Sequence, residues 1–310
     1  MASPRIAVPS TIALTRFEAE RAARLRSDET WLEAAWANPG TRVVVVEQGQ
    51  ALIRESADGT AELIFVAPAA APEGTSFLLG VGSGDVAYFG VAATPPEPAD
   101  PTGVRSAGLR EAGHLLNDRD AGLLTHAIAL GNWHEVSGFC SRCGHPTEPV
   151  MAGHVRKCGN DGSEHFPRCD PAVIMLVADP GDRCLLARNV AWPPRRVSVL
   201  AGFVEPGESA EQAVVREVRE EVGITVDKVS YAASQPWPMP HSLMLGFRAE
   251  TSVTDLQPDD EEISEAAWYS REDLKKAIES GDLLMPPSLS ISRWLIETWY
   301  GGPLPKAPRG

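Results

Sequence analysis

The sequence predicts an α+β protein whose C-terminal half is an α/β sandwich, and three observations carry that expectation. Short apolar runs that read as strands recur between Thr41 and Glu250, an amphipathic helix is punctuated at both ends by Ser209 and Gly223, and a cysteine-bearing insert separates two such regions. At 310 residues the chain is long enough for two domains and a small insert. The expected division is an N-terminal α+β domain over 1–135, a cysteine-bearing ribbon over 136–169 and an α/β domain over 170–310.

Taken in order, Thr41 to Val66 carries strand patterns broken by the Ala57-Asp58-Gly59-Thr60 turn, and Phe77 to Ala93 adds more β-type sequence. The Pro-rich stretch from Ala93 to Val104 reads as a loop, followed by a helical pattern from about Leu109 to Glu135. Beyond Asp170, Ala172 to Ala178 is a continuous apolar strand, Asp179-Pro180-Gly181-Asp182 a turn, and Cys184 to Ala187 the partner strand, in which Cys184 is simply buried. Strands follow near Val229–Ala233 and Leu243–Glu250, and a last helix from about Ser290 to Tyr300. No internal repeat at a fixed period is visible.

The helix between Ser209 and Gly223 concentrates the chemistry. Ser209 with Gln212 forms a capping box, and Gly223 supplies the C-terminal stop. Ala210, Val214, Val218 and Val222 make one apolar stripe; Glu221 falls inside it, Glu217 on its edge and Glu220 one step further round. A solvated acidic helix would point its carboxylates outward, whereas an inward ionised carboxylate needs a positive partner. No lysine lies in the run, so the expected counter-charge is a hard cation, Mg²⁺ or Mn²⁺, of the kind that bridges carboxylates to substrate phosphates. Arg216, four residues before Glu220, is placed to hold that carboxylate in a forked salt bridge.

The segment Gly202 to Ile224, with Glu208 and Arg216-Glu217-Val218-Arg219-Glu220-Glu221 at fixed offsets, resembles the complete Nudix box. Downstream, Ser234-Gln235-Pro236-Trp237-Pro238-Met239-Pro240-His241-Ser242 resembles the SQPWPFPxS signature of the NADH pyrophosphatase branch, with Met239 where that family carries Phe. The resemblance implies a Nudix α/β/α sandwich, a homodimer, and metal-dependent hydrolysis of the diphosphate of NADH or NAD to nicotinamide mononucleotide and AMP. It extends to removal of NAD caps from RNA 5′ ends. It further implies two or three ions at Glu217, Glu221, Glu262 and the Ala201 carbonyl, with Phe203 stacking on a ring of the dinucleotide. The prolines of the signature stiffen the loop, so Ser234, Gln235, Trp237 and Ser242 are expected to face substrate. Arg110 corresponds to a substrate-contacting arginine of the family or else to a surface salt bridge, and the proton acceptor is Glu220 or Glu221.

Phe139-Cys140-Ser141-Arg142-Cys143-Gly144 is a CxxC knuckle, and Cys158 and Cys169 follow. With no signal-peptide pattern at the N-terminus and no apolar run of membrane length, these cysteines read as one structural zinc site in a cytoplasmic protein. Cys140, Cys143 and Cys158 are the expected ligands. Cys169 is expected as the fourth, with His165 and Asp161 as alternatives.

The formal charge of −14 argues against a protein that coats nucleic acid, while permitting it to grip one nucleotide end. Two rivals stand beside NADH hydrolysis. One is the same chemistry on ADP-ribose or another nucleoside diphosphate derivative; the other is a nucleotide-binding regulator without catalysis, which the intact glutamates Glu208, Glu217, Glu220 and Glu221 speak against.

Overall fold

The computed structural model describes residues 12–307. The described residues gather into two compact units: one holds Leu14–Cys169 with Pro236–His241, the other Asp170–Gln235, 242–307 and 12–13.

The C-terminal unit is a sheet between helices. Its strands, in numbering that runs along the whole chain, are β10 (Asp170–Ala178), β11 (Cys184–Asn189), β12 (Leu200–Phe203), β13 (Lys228–Trp237), β14 (Ser242–Glu250) and β15 (Ile263–Tyr269), in the order β13-β14-β10-β11-β15 with β12 paired to β10. Central β10 runs parallel to β14 and antiparallel to β11 and β12. Being covered on both faces, it has no polar alternation: Val173, Met175 and Val177 pack beneath helix α4 (Ala210–Val222), while Ile174 and Leu176 pack against α5 (Arg271–Glu279) and α6 (Ile291–Tyr300). This is the α/β/α sandwich the sequence predicts.

The N-terminal unit repeats that plan with one part missing. Its strands β1 (Arg42–Glu47), β2 (Gln50–Glu55), β3 (Ala61–Leu63), β4 (Thr75–Val81), β5 (Ala87–Ala92) and β6 (Val104–Gly108) form a sheet in which β4-β5-β1-β2-β6 follow the same order as β13-β14-β10-β11-β15. The central pairings agree as well: β1 is parallel to β5 as β10 is to β14, and antiparallel to β2 as β10 is to β11. In the C-terminal unit α4 lies between β12 and β13, whereas β3 and β4 are joined through a single 3-10 turn at Pro68–Ala70. Helix α1 (Glu29–Ala37), drawn from ahead of the first strand, takes over as cover, laying Trp31, Leu32 and Trp36 on Val43, Leu78 and Phe89. The duplication escapes a search for sequence period because strand order, not residue spacing, is what repeats.

The helical pattern after Leu109 is two helices, α2 (Leu109–Ala112) and α3 (Asp118–Val136), since Asn117 caps the second by accepting from the Asp120 N–H at 2.9 Å. The ribbon adds a small sheet of β7 (Thr147–Val150), β8 (Val155–Cys158) and β9 (Glu164–His165). Among the described residues no helix is long and apolar enough to cross a membrane.

Candidate active site and zinc cluster

Helix α4 forms as its sequence requires. Ser209 and Gln212 make both halves of the capping box, and Gly223 closes the helix at φ 73°. Val214, Val218 and Val222 are fully buried, which drags Glu217 and Glu221 under the surface at 9% and 5% exposure while Glu220 stays exposed. Arg216 organises the acidic surface. Its fork grips Glu208 through Nε at 2.9 Å and Nη2 at 2.9 Å, not Glu220 as expected, because the tight turn at Gly207 brings Glu208 back over the helix. The remaining donors reach Glu217 at 2.7 Å, Glu220 at 3.1 Å and the Phe203 carbonyl at 2.8 Å.

The β12 strand enters the site through Gly202. A Cβ there would lie 1.9 Å from the Glu217 carboxyl carbon, so any side chain at this position would push the Glu217 carboxylate from its place, and the neighbouring Ala201 and Phe203 both stay exposed.

Glu221 is the residue left unsatisfied. Its Oε2 is buried with no hydrogen-bond partner, and burial, reinforced by the charges of Glu217, Glu262 and Asp259, pushes its pKa up to about 8. Glu217 is also raised, by burial first, with Arg216 pulling the other way. An orphaned buried carboxylate oxygen amid other carboxylates is what an all-oxygen site for a hard divalent ion requires, so the donor set fits Mg²⁺ or Mn²⁺.

Sequence reasoning missed how Glu262 is brought in. The loop before β15 docks on the end of α4 through Gln257 N–H to Val222 O at 2.9 Å and Asp259 N–H to Glu221 O at 3.2 Å. The Asp259 carboxylate then accepts the Glu262 N–H at 3.2 Å and the Ile263 N–H at 2.8 Å. The available signal was an Asp at the head of a turn, hidden inside the acidic run Asp259 to Glu262.

In the ribbon, Cys140, Cys143, Cys158 and Asp161 bring their ligand atoms within 4.8 Å of one another. The reason is two knuckles of the same shape. Gly144 N–H returns to Cys140 O at 2.9 Å, and Gly162 N–H to Cys158 O at 3.1 Å, with both glycines at positive φ near 73° and 71°. Asp161 therefore stands in the second knuckle where Cys143 stands in the first. Hydrogen bonds from the Ser163 hydroxyl and N–H hold its carboxyl well below the usual range, keeping it anionic. Cys169, expected as fourth ligand, lies outside this group and is exposed; it follows the second knuckle by too many residues to share its turn.

Residues 169–287 match the model of the NUDIX domain, 137–166 that of the NADH pyrophosphatase zinc ribbon domain, and 40–133 that of the NADH pyrophosphatase-like rudimentary NUDIX domain. Over 297 residues the chain is 41% identical to the NAD-capped RNA hydrolase NudC of Mycobacterium bovis, covering 92% of this chain and 94% of that one. The chain belongs to the NADH pyrophosphatase branch of the Nudix hydrolases. It is also 41% identical to the NAD-capped RNA hydrolase NudC of Stutzerimonas stutzeri over 215 residues, covering 68% and 75% of the two chains. With the mitochondrial NAD(P)H pyrophosphatase NUDT13 of Mus musculus it shares 42% over 205 residues, covering 62% and 58%. The rudimentary domain of this Nudix hydrolase is the N-terminal unit whose sheet repeats the catalytic one without its box helix.

The signature segment divides between two tasks. Gln235, expected to face substrate, is wholly buried because β13 continues through it and turns it inward beside Ala233. Its Nε2 donates to Ala13 O and Leu289 O, each at 2.7 Å, and its Oε1 accepts the Ile291 N–H at 2.8 Å, capping the first turn of α6. Gln235 is a clamp, not a substrate contact. Gln235→Ala would strand those groups and cost about 3 kcal/mol; denaturant unfolding with m unchanged measures it, and a loss below about 1 kcal/mol would contradict the clamp.

Ser234 and Ser242 are half-buried. Arg110 makes no surface salt bridge among the described residues; its guanidinium instead lies 5.4 Å from the ring centroid of half-buried Trp237. Asn132 steadies the loop by donating to Pro238 O at 3.1 Å and Pro240 O at 3.4 Å.

Proposed function

We infer that this Nudix hydrolase cleaves the diphosphate of NADH and NAD, releasing AMP and nicotinamide mononucleotide, and removes NAD caps from RNA 5′ ends. The observation that carries the reading is Glu221, whose buried oxygen lacks any partner on a helix that presents the whole Nudix box. The names of the relatives from Mycobacterium bovis and Mus musculus support the substrate class.

Glu217, Glu221, Glu262 and the Ala201 carbonyl would hold two or three Mg²⁺ or Mn²⁺ ions. When bound, such ions neutralise the diphosphate and make water a stronger nucleophile. Arg216 fixes the rotamers of Glu208, Glu217 and Glu220, so the acidic groups are in place before substrate arrives. Water oxygen bonds to one phosphorus, the P–O–P bridge breaks, and the proton leaves through Glu220 or Glu221. Phe203 and the Arg110–Trp237 pair are assigned to the bases and Ser234 and Ser242 to polar contacts. The enzyme is read as a cytoplasmic homodimer with one structural zinc at Cys140, Cys143, Cys158 and Asp161.

The test is chromatography of products from a panel of dinucleotides and NAD-capped RNA with Mg²⁺ and with Mn²⁺. AMP plus the mononucleotide is the expected pair from the free dinucleotides, and 5′-monophosphorylated RNA plus the mononucleotide from the capped RNA; any other products mean a different bond is cut. Trp237→Ala should weaken NADH turnover by about 1–2 kcal/mol in kcat/KM and spare a small diphosphate ester lacking the second base; equal losses would make Trp237 a folding residue.

A further inference from the structure

The segment ahead of α1 carries Arg16, Arg21, Arg24 and Arg26, and the structure treats them differently. Arg16 is paired with Asp118 at 2.9 Å, Arg21 and Arg24 are exposed, and Arg26 is half-buried. Arg21 and Arg26 have no carboxylate partner among the described residues. The Arg21 guanidinium lies 4.9 Å from the centroid of Phe17, and the Phe17 ring meets His126 edge-on at 6.1 Å. His126 in turn lies 5.3 Å from His154. Arg26 donates Nη2 to the Arg21 carbonyl at 3.2 Å, but its Nε is buried with no acceptor.

Each imidazole spends one nitrogen on the backbone: His126 Nδ1 on Leu79 O at 3.2 Å and His154 Nε2 on Leu78 O at 2.7 Å. Burial, with the charges of Arg21 and Arg26 adding to it, holds both rings neutral, His154 at about 4 and His126 well below the usual histidine value. Between the two arginines Ala22 is buried at φ 49°, a left-handed conformation that alanine adopts only where its surroundings impose it. In a chain of formal charge −14, two guanidiniums thus lie close together with no carboxylate paired to either among the described residues. A buried charged donor is ordinarily matched by an acceptor, and among the described residues the Arg26 Nε has none.

We propose that Arg21 and Arg26 form a phosphate-binding site in the N-terminal unit. Two separate guanidiniums suit a tetrahedral oxyanion, which offers acceptors in several directions, better than a planar carboxylate. The ligand is a phosphoryl group, free or carried on an RNA strand.

The test titrates full-length protein with inorganic phosphate in magnesium-free buffer, by calorimetry and by thermal shift. Saturable binding is expected in the wild type, weakened about tenfold or more by Arg26→Gln and by Arg21→Gln, and unaltered by Arg24→Gln at the exposed neighbour. If Arg26→Gln does not fold, Arg26→Lys keeps the charge but lacks Nε and should still bind more weakly. No saturable phosphate binding to the wild type, or equal losses in the Arg24 and Arg26 variants, overturns the site. A short 5′-phosphorylated RNA and pyrophosphate then compete against phosphate. Displacement by the RNA identifies a strand phosphate as the ligand, and displacement by pyrophosphate alone identifies a small free anion.

Discussion

Glu221→Gln is expected to abolish turnover while stabilising the metal-free enzyme at pH 8. The first effect follows from losing an anionic ligand at the diphosphate site, a drop of about three orders of magnitude or more in kcat. The second follows from the raised pKa of about 8. A group whose folded pKa lies above its unfolded value contributes most below the unfolded value, about 4.5, and that contribution is lost as pH rises through 8. Gln removes the charge that burial resists, so the metal-free variant should gain on the order of a few kcal/mol at pH 8 and nothing at pH 4. Thermal unfolding in magnesium-free buffer across that range measures it. A variant no more stable than wild type at pH 8, or one that retains turnover, would show that Glu221 is not the strained ligand.

Removing the ribbon's metal should be nearly as severe. Elemental analysis of untagged protein is expected to find about one zinc per chain, since structural zinc contributes about 10–16 kcal/mol in small ribbons. Cys143→Ala should release it and lower the melting temperature sharply, and Asp161→Ala should lose it to a mild chelator. Asp161→Cys should bind tighter than wild type, a thiolate being the softer ligand, and Cys169→Ala should leave zinc content untouched. Zinc retained in Cys143→Ala, or lost in Cys169→Ala, would reject the cluster drawn from the two knuckles.

What could be read in the sequence was what short segments determine. The cap, stripe and stop of α4 lie within Ser209 to Gly223, so its start, end and buried carboxylates were all legible. The first knuckle was legible for the same reason. The second was misassigned because a preference for thiolate outweighed the turn geometry that Gly162 gives Asp161. Gln235 was misread because its partners are distant: Ala13 lies 222 residues away and Leu289 54 residues away, and no local pattern announces them. The role of Arg110 likewise depends on Trp237, which the chain brings back from far downstream. The repeated sheet stayed hidden because its copies share strand order and pairing sense, which no residue period encodes.

The Gln235 clamp also sets an order of assembly during synthesis. The strand that carries it is made long before Leu289 and Ile291, and Ala13 waits longer still. The catalytic unit therefore cannot close until the residues through Ile291 have left the ribosome. Most of the rudimentary unit, Leu14–Cys169, emerges early enough to fold first. A polypeptide stalled before residue 289 would carry the entire Nudix box and still lack a finished hydrolase, so activity on the ribosome should appear only once Ile291 has emerged.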